Sequence, residues 1–442
     1  MLYYSSYMSS EGRTRIANKV DRFMELEGLR GVAAIMVVLF HSMSMFYPGF
    51  FYGQQGYSIP GVQNMRLEDN LYATPMMGLF TGSFAVAIFF VLSGFVLSIG
   101  FFVKNDESII KRLAVKRYLR LMLPAFTAII LAYVILRLGL DDWKSQAAQI
   151  THSGWLSALW VQAPNLWEAI TQGVYGVFAT GGSTYNPVLW TLKVEFIGSF
   201  MIFGMALLFA KSKYRWVMYL IVLSLCFTTW YVAFIVGMII ADIFVHYAKV
   251  LKLIPKSVLI GGAIIGIGLG AFPATDIKGT VFELILIPFL TKDQTMIIYL
   301  TLGATLVTLA TLLVPAMKCF FSHRKIAFLG KYSFSLYLIH LPILFLVAAG
   351  VFVGVYSTLG FHVAVLTSMI VTIVVTIPAT FLFEKYVDRP SIKLSSVVAD
   401  VYGGSGNFRS FLLQIHRHAT YHLVQAKVGV IDCYRYISNA IN

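Results

Sequence analysis

An arginine and a histidine, Arg30 and His41, stand eleven positions apart in the first apolar run of the chain, Leu26-Glu27-Gly28-Leu29-Arg30-Gly31 through Phe40-His41. At about 1.5 Å and 100° per helical residue, the two side chains lie roughly 16 Å apart along one axis and within about 20° of one face. Such a helix holds a permanent cation at a membrane surface and an imidazole near the bilayer midplane. An ionisable group at that depth costs about 2.5 kcal/mol or more unless it is paired or hydrated, which makes an intramembrane histidine a functional candidate. The simpler alternative makes Arg30 a basic flank and His41 a packed polar residue. A cation and a base so spaced suit a ligand with an anionic head and a long arm whose reactive end reaches into the membrane. Acyl-coenzyme A has that form, with phosphates at one end and a thioester at the other.

Four further stretches carry polar groups at membrane depth or beside it. Phe89-Phe90-Val91-Leu92-Ser93-Gly94-Phe95 places a hydroxyl, Ser93, eleven residues from Lys104, and Gly94 permits close backbone approach. In the basic stretch Lys111 to Pro124, Arg117 and Arg120 are three apart and share a helix face, and guanidinium groups bind phosphate bidentately. Asn186-Pro187-Val188-Leu189-Trp190-Thr191-Leu192-Lys193-Val194-Glu195 buries a carboxylate eight residues, about 12 Å, inside the start of its run. Lys193, two residues away, does not face Glu195 on a helix. Tyr332-Ser333-Phe334-Ser335-Leu336-Tyr337-Leu338-Ile339-His340 sets a second imidazole nine residues, about 13 Å, beyond Lys331.

These stretches resemble, in order, the acyltransferase-3 family of integral-membrane enzymes. Arg30, ten intervening residues and His41 reproduce its opening signature. Residues 89–95 are similar to its FFxxSGF element, Arg117 to Pro124 to its R-x-x-R-x-x-P segment, and Leu189 to Glu195 to LW-S/T-L-x-V-E. Tyr332 to His340 is similar to YSxYLxH, and Glu384 to Pro390 to the closing E-x-x-x-x-x-P box, an expected ion-pair corner. The resemblance covers residues 26 to 390 and implies transfer of an acyl group from acyl-coenzyme A, acetyl-coenzyme A foremost, to a hydroxyl of a carbohydrate, glycolipid or other small acceptor. Many bacterial members continue after the glutamate with a second glutamate and Gln-Phe-Tyr. This chain has Phe196-Ile197-Gly198-Ser199, so the acceptor is left open.

A hydroxyl is a poor nucleophile, and acyl transfer needs a base near its proton. His41 is the expected base, with Glu195 orienting it and stabilising the imidazolium. Arg30, Arg117, Arg120 and Ser93 are the expected donor-binding groups, and Trp190, Tyr337 and His340 the expected acceptor contacts. No metal is required. Acylation of His41 itself, followed by transfer, is the alternative chemistry. The alternative class is a transporter using His41 and Glu195 as a proton relay, but no short or interrupted helices recur in corresponding halves, as many carriers show.

The elements that position these groups must be membrane helices. Of 442 residues, 58% are hydrophobic and 12% charged, against about 25% charged in soluble proteins. The net charge of +14 does not point to nucleic acid, because the basic residues sit in short loops between apolar runs. Runs near 29–47, 76–103, 121–140, 187–210, 257–272, 296–317, 332–356 and 363–383, with 214–247 split at Thr228-Thr229-Trp230, predict an all-α bundle of about ten spans. With both termini cytoplasmic, inner segments collect Arg13 to Arg22, Lys104 to Arg120, Lys211 to Arg215, Lys249 to Lys256, Lys318 to Lys331 and the tail, while outer loops hold only Arg66, Lys144, Lys278 and Lys292, with Arg137 near an outer helix end. A plasma or inner membrane is expected.

The expected organisation is a cytoplasmic segment over residues 1–24, a transmembrane domain over 25–390 and a cytoplasmic tail over 391–442. The N-terminus lacks a cleavable signal pattern, and no hydrolase domain is expected after the last span. Two long outer loops, 48–75 and 141–186, carry the aromatic and amide groups that handle sugars or line an interface. Gly261-Gly262 to Gly270 suits close helix packing rather than a nucleotide loop. Cys226, Cys319 and Cys433 match no metal or disulfide spacing. In the tail, 407–440 reads as an interfacial helix with Arg409, Arg417 and Lys427 on its wet side, and His416, His418 and His422 lack acidic or cysteine partners for a metal.

Overall fold

The computed structural model describes residues 23–57, 71–275 and 277–403. The expected tail helix, its three histidines and Cys433 lie outside the described residues, as do most of the N-terminal segment and part of the loop 48–75. Among the described residues the chain is helical, with a single isolated antiparallel bridge between Tyr57 and Ser153.

Ten principal helices follow the apolar runs: α1 (Met24–Phe46), α2 (Gly82–Lys104), α3 (Glu107–Arg137), α4 (Trp190–Leu208), α5 (Arg215–Cys226), α6 (Tyr231–His246), α7 (Lys256–Gly270), α8 (Lys292–Leu313), α9 (Arg324–Ile343) and α10 (Phe361–Phe383). Among the described residues, seven helical stretches are long and apolar enough to cross a membrane, including Arg324–Leu359 and Phe361–Tyr402, which prolong α9 and α10. Helices α5, α6 and α7 have 12, 16 and 15 residues, short of the roughly 20 that cover the hydrocarbon. The apolar run 214–247 is interrupted between Cys226 and Tyr231, where the sequence places its Thr-Thr-Trp break.

Local chemistry sets several boundaries. Asp106 caps α3 by accepting from the Ser108 amide at 2.9 Å, and Asn105 ends α2 in the left-handed region. Thr291 and Gln294 form a reciprocal capping box at the start of α8. Pro342 lies inside α9 and has no N–H, so the Leu338 carbonyl loses its helical donor; the Asn186 side chain supplies one instead, at 2.7 Å. That bond ties the entry of α4 to α9 two residues from His340.

Close helix contacts fix the register of the pair that carries the two histidines. At Gly330 an added Cβ would stand 2.1 Å from the Glu27 carbonyl oxygen, and at Gly31 it would stand 2.7 Å from the Gly330 nitrogen. Backbones this close exclude any larger residue. Helices α1 and α9 run parallel from that contact, and ten residues further along each stand His41 and His340. Gly94 of α2 and Gly237 of α6 make a second such contact, with added Cβ atoms 2.0 Å from the Phe234 oxygen and 2.1 Å from the Val91 oxygen. In the glycine run of α7, Gly266 meets Gly303 of α8, which is the close packing expected of that run.

Candidate active site

His41 and His340 are joined directly, His340 Nε2 to His41 Nδ1, at 3.0 Å. His340 is buried, and its Nδ1 lies 2.8 Å from the Tyr337 carbonyl and 3.1 Å from the Leu336 carbonyl. Carbonyls only accept, so His340 Nδ1 carries the proton and its Nε2 holds a lone pair. His41 Nδ1 must then be the donor between the rings. The second nitrogen of His41, Nε2, is left as a bare lone pair in the neutral ring, the form a general base needs. Trp155 stacks on the imidazole, with ring centroids 5.4 Å apart and planes 25° apart, and Phe40 stands edge-on at 5.0 Å. Trp155 belongs to the segment 141–186, which folds as short helices over this end of α1. Ser153 anchors it by donating to the Ser44 carbonyl at 2.8 Å.

Glu195 has different partners from those its sequence suggests. Its carboxylate is ion-paired with Arg117 and accepts a hydrogen bond from the Ser93 hydroxyl at 2.8 Å. Arg117 also donates from Nε to Ser199 Oγ at 2.7 Å. The bonds of Glu195 run to Ser93 and Arg117, and the hydrogen-bond partner of the His41 ring is His340. The reason is geometric, since α3 is one unbroken helix of 31 residues and carries Arg117 inward to meet the carboxylate. An intramembrane charge without a partner is costly, and these two satisfy each other.

The other anticipated residues are spread around this centre. Arg30 lies on α1 eleven residues from His41, 30% exposed at its side chain, with Glu27 at 3.3 Å. Arg120 is ion-paired with Asp388 and stacks over Phe334 at 5.0 Å. Arg30 and Arg117 are both within electrostatic range of Arg120, so the three cations gather in one region, each with a carboxylate. The expected ion-pair corner is present, since Arg389 reaches Glu384 at 2.8 Å and Lys331 approaches it at 3.7 Å. The Tyr337 hydroxyl is committed to the Val188 carbonyl at 2.9 Å and to Thr191 at 2.8 Å, which leaves only its ring, 6.0 Å from that of His340, toward the site. Trp190 is 37% exposed and packs beside Trp230, away from His41's ring contacts.

Three features were missed in the sequence. Trp155 carries no signal beyond its place in an aromatic-rich loop. Asn186 precedes a proline and reads as an ordinary helix entry. Asp242 did carry a signal, being a carboxylate inside an apolar run. It is fully buried and bound by Arg215 at 2.8 Å, Tyr219 at 3.0 Å and His246 at 2.6 Å, which pins α5 to α6.

The acyltransferase domain of the acyltransferase-3 type matches residues 24–383, which takes in His41, His340, Trp155, Ser93, Arg30, Arg117, Arg120 and Glu195. The chain belongs to the acyltransferase-3 family. It is also 24% identical to O-acetyltransferase PaAT-1 of Phomopsis amygdali over 430 residues, covering 84% of this chain and 83% of that protein. No solved structure matches it. Family membership supports an acyltransferase, and the seven long apolar helices support its residence in a membrane.

Proposed function

We propose that this acyltransferase-3 protein transfers an acyl group, acetyl foremost, from acyl-coenzyme A to a hydroxyl, with His41 as the general base. The observation that carries the reading is the bond from His41 Nδ1 to His340 Nε2, because it fixes the tautomer that leaves His41 Nε2 free to take a proton. His41 Nε2 removes the proton from the acceptor hydroxyl as the oxygen attacks the thioester carbonyl. The tetrahedral intermediate then expels the coenzyme A thiolate, which recovers that proton from the imidazolium. An oxygen–carbon bond forms, a carbon–sulfur bond breaks, and no proton is left over. The O-acetyltransferase PaAT-1 relationship favours an oxygen acceptor and an acetyl group.

Arg30 is the leading phosphate ligand. It is part-exposed, its 3.3 Å contact with Glu27 is a weak i,i+3 pair, and it stands about 16 Å from His41, within the reach of a pantetheine arm. Arg120 and Arg117 add positive potential, and their remaining N–H groups are available to phosphate oxygens. In this reading Ser93 serves the donor side by holding the Arg117–Glu195 pair. The same reading places both termini, and the Arg30 end of α1, in the cytoplasm. The parallel course of α1 and α9 is what alternating spans require of a first and a ninth helix.

The testing experiment incubates purified protein with acetyl-labelled acetyl-coenzyme A and a panel of alcohols and follows both free thiol and labelled ester. Equal appearance of the two, dependent on the alcohol, is expected. Thiol release without any ester from any acceptor would contradict the proposal.

A further inference from the structure

We infer that Trp155 is a positioning residue for acyl transfer: its indole face holds the His41 ring and stabilises the positive charge that forms there when the base takes the acceptor's proton. The inference rests on the acyl-transfer reading above and adds the group that balances the charge on the base.

When His41 Nε2 takes the hydroxyl proton, the ring is an imidazolium until the coenzyme A thiolate recovers that proton. In hydrolase triads a carboxylate stabilises this cation. Here the hydrogen-bond partner of His41 is a second imidazole, and the Nδ1–H of His340 is spent on the Tyr337 and Leu336 carbonyls. His340 Nε2 therefore offers His41 a lone pair and brings no net charge. The Glu195 carboxylate is engaged by Arg117 and Ser93. Stabilisation of the imidazolium falls to another kind of group.

An indole face is such a group. Trp155 lies over the His41 ring with centroids 5.4 Å apart and planes 25° apart, inside the roughly 6 Å over which a ring quadrupole attracts a cation, and tryptophan is the strongest aromatic in this role. The indole is itself held firmly. Ser153 donates to the Ser44 carbonyl of α1 at 2.8 Å and accepts from the Leu156 amide at 3.2 Å, which pins the turn that carries Trp155 within one helical turn of His41. Leu156 is fully buried, and Trp155 packs 6.0 Å from Phe345, in the continuation of α9 five residues beyond His340. Trp160 packs 4.8 Å from the same Phe345 and donates its Nε1–H to the Tyr185 carbonyl at 2.8 Å. The outer segment thus fixes the indole against both helices that supply the histidine pair.

The test measures single-turnover acetyl transfer by the parent, Trp155→Phe and Trp155→Leu, using acetyl-coenzyme A and the alcohol of the panel above that the parent acetylates fastest. Phenylalanine keeps an aromatic face, and leucine keeps only apolar bulk. Trp155→Leu should lower the transfer rate about 5- to 30-fold, the worth of a desolvated cation–π contact. Trp155→Phe should recover most of that loss, with the KM for acetyl-coenzyme A within a few-fold of the parent in both. Equal rates in the two variants would overturn the inference, since bulk alone would then matter. Independently of turnover, a protonated imidazole quenches a stacked indole, so acidification should dim the parent's tryptophan emission more than that of His41→Ala, with His340 on α9 and His152 in the indole's own segment present in both. That difference should vanish on a Trp155→Phe background. A difference that persists there, or none in the parent, would overturn the inference. Absence of transfer to every alcohol would instead overturn the acyl-transfer reading, while the emission difference still decides whether the indole senses the charge on His41.

Discussion

Replacing Glu195 by glutamine separates two roles that the sequence alone leaves fused. Arg117 and Glu195 are 14% and 16% exposed at their side chains. Deleting one partner of a fully buried pair costs about 3–5 kcal/mol, chiefly because the other charge is stranded. Here the residual exposure screens the pair, Ser199 keeps one guanidinium bond, and glutamine can still accept from Ser93 and Arg117. The expected loss for Glu195→Gln is therefore about 2 kcal/mol. Arg117→Gln should cost a similar amount, and the double variant much less than the sum, leaving a coupling of about 2 kcal/mol in a double-mutant cycle. Unfolding of the four proteins in detergent measures the coupling. Acyl transfer by Glu195→Gln, measured where it is folded, should stay above about a tenth of the parent rate, since His41 is held by His340. Additive stabilities, or a rate loss as large as that of removing His41, would refute this assignment and return Glu195 to the imidazole.

His340→Phe removes the acceptor for His41 Nδ1–H and should lower kcat about 10- to 100-fold while the KM for acetyl-coenzyme A changes only a few-fold; steady-state kinetics on both substrates checks it. Gly330→Ala places a methyl group 2.1 Å from the Glu27 oxygen, so α1 and α9 must separate. Both the unfolding midpoint and the acyl-transfer rate should fall, and an unaffected rate would mean that the register does not control the histidine pair. Cysteines introduced at Lys111 and Gln162 should label from opposite sides, with only the latter reached by impermeant reagent from outside. Arg30→Ala should weaken coenzyme A binding in a salt-sensitive manner, read by calorimetry at two ionic strengths.

Much of the helical plan was legible because burying backbone in hydrocarbon leaves long apolar runs, and these announce themselves without tertiary knowledge. The break before Tyr231 and the close contacts at Gly94 and Gly266 were readable for the same reason. Whether a run spans was less legible: α5 to α7 follow their apolar runs to within a residue or two at each end, and runs of that length fall short of the hydrocarbon thickness. Partner choice was least legible, because periodicity gives the face of a helix and not which helix it meets. Arg117 and Glu195 were singled out separately, 78 positions apart, and only the fold joins them. The His41–His340 bond likewise depends on the glycine contacts between α1 and α9. Trp155 became a site residue through a loop fold that no local pattern encodes.

The most direct test of the account is His41→Ala, with coenzyme A binding and acyl transfer measured on the same folded preparation. His41 lies about three turns from Arg30, so binding should stay within a few-fold of the parent. The rate should fall by about 10²- to 10⁴-fold, the usual cost of losing a general base. A folded His41→Ala protein that binds coenzyme A and acylates at more than about a tenth of the parent rate would contradict the assignment.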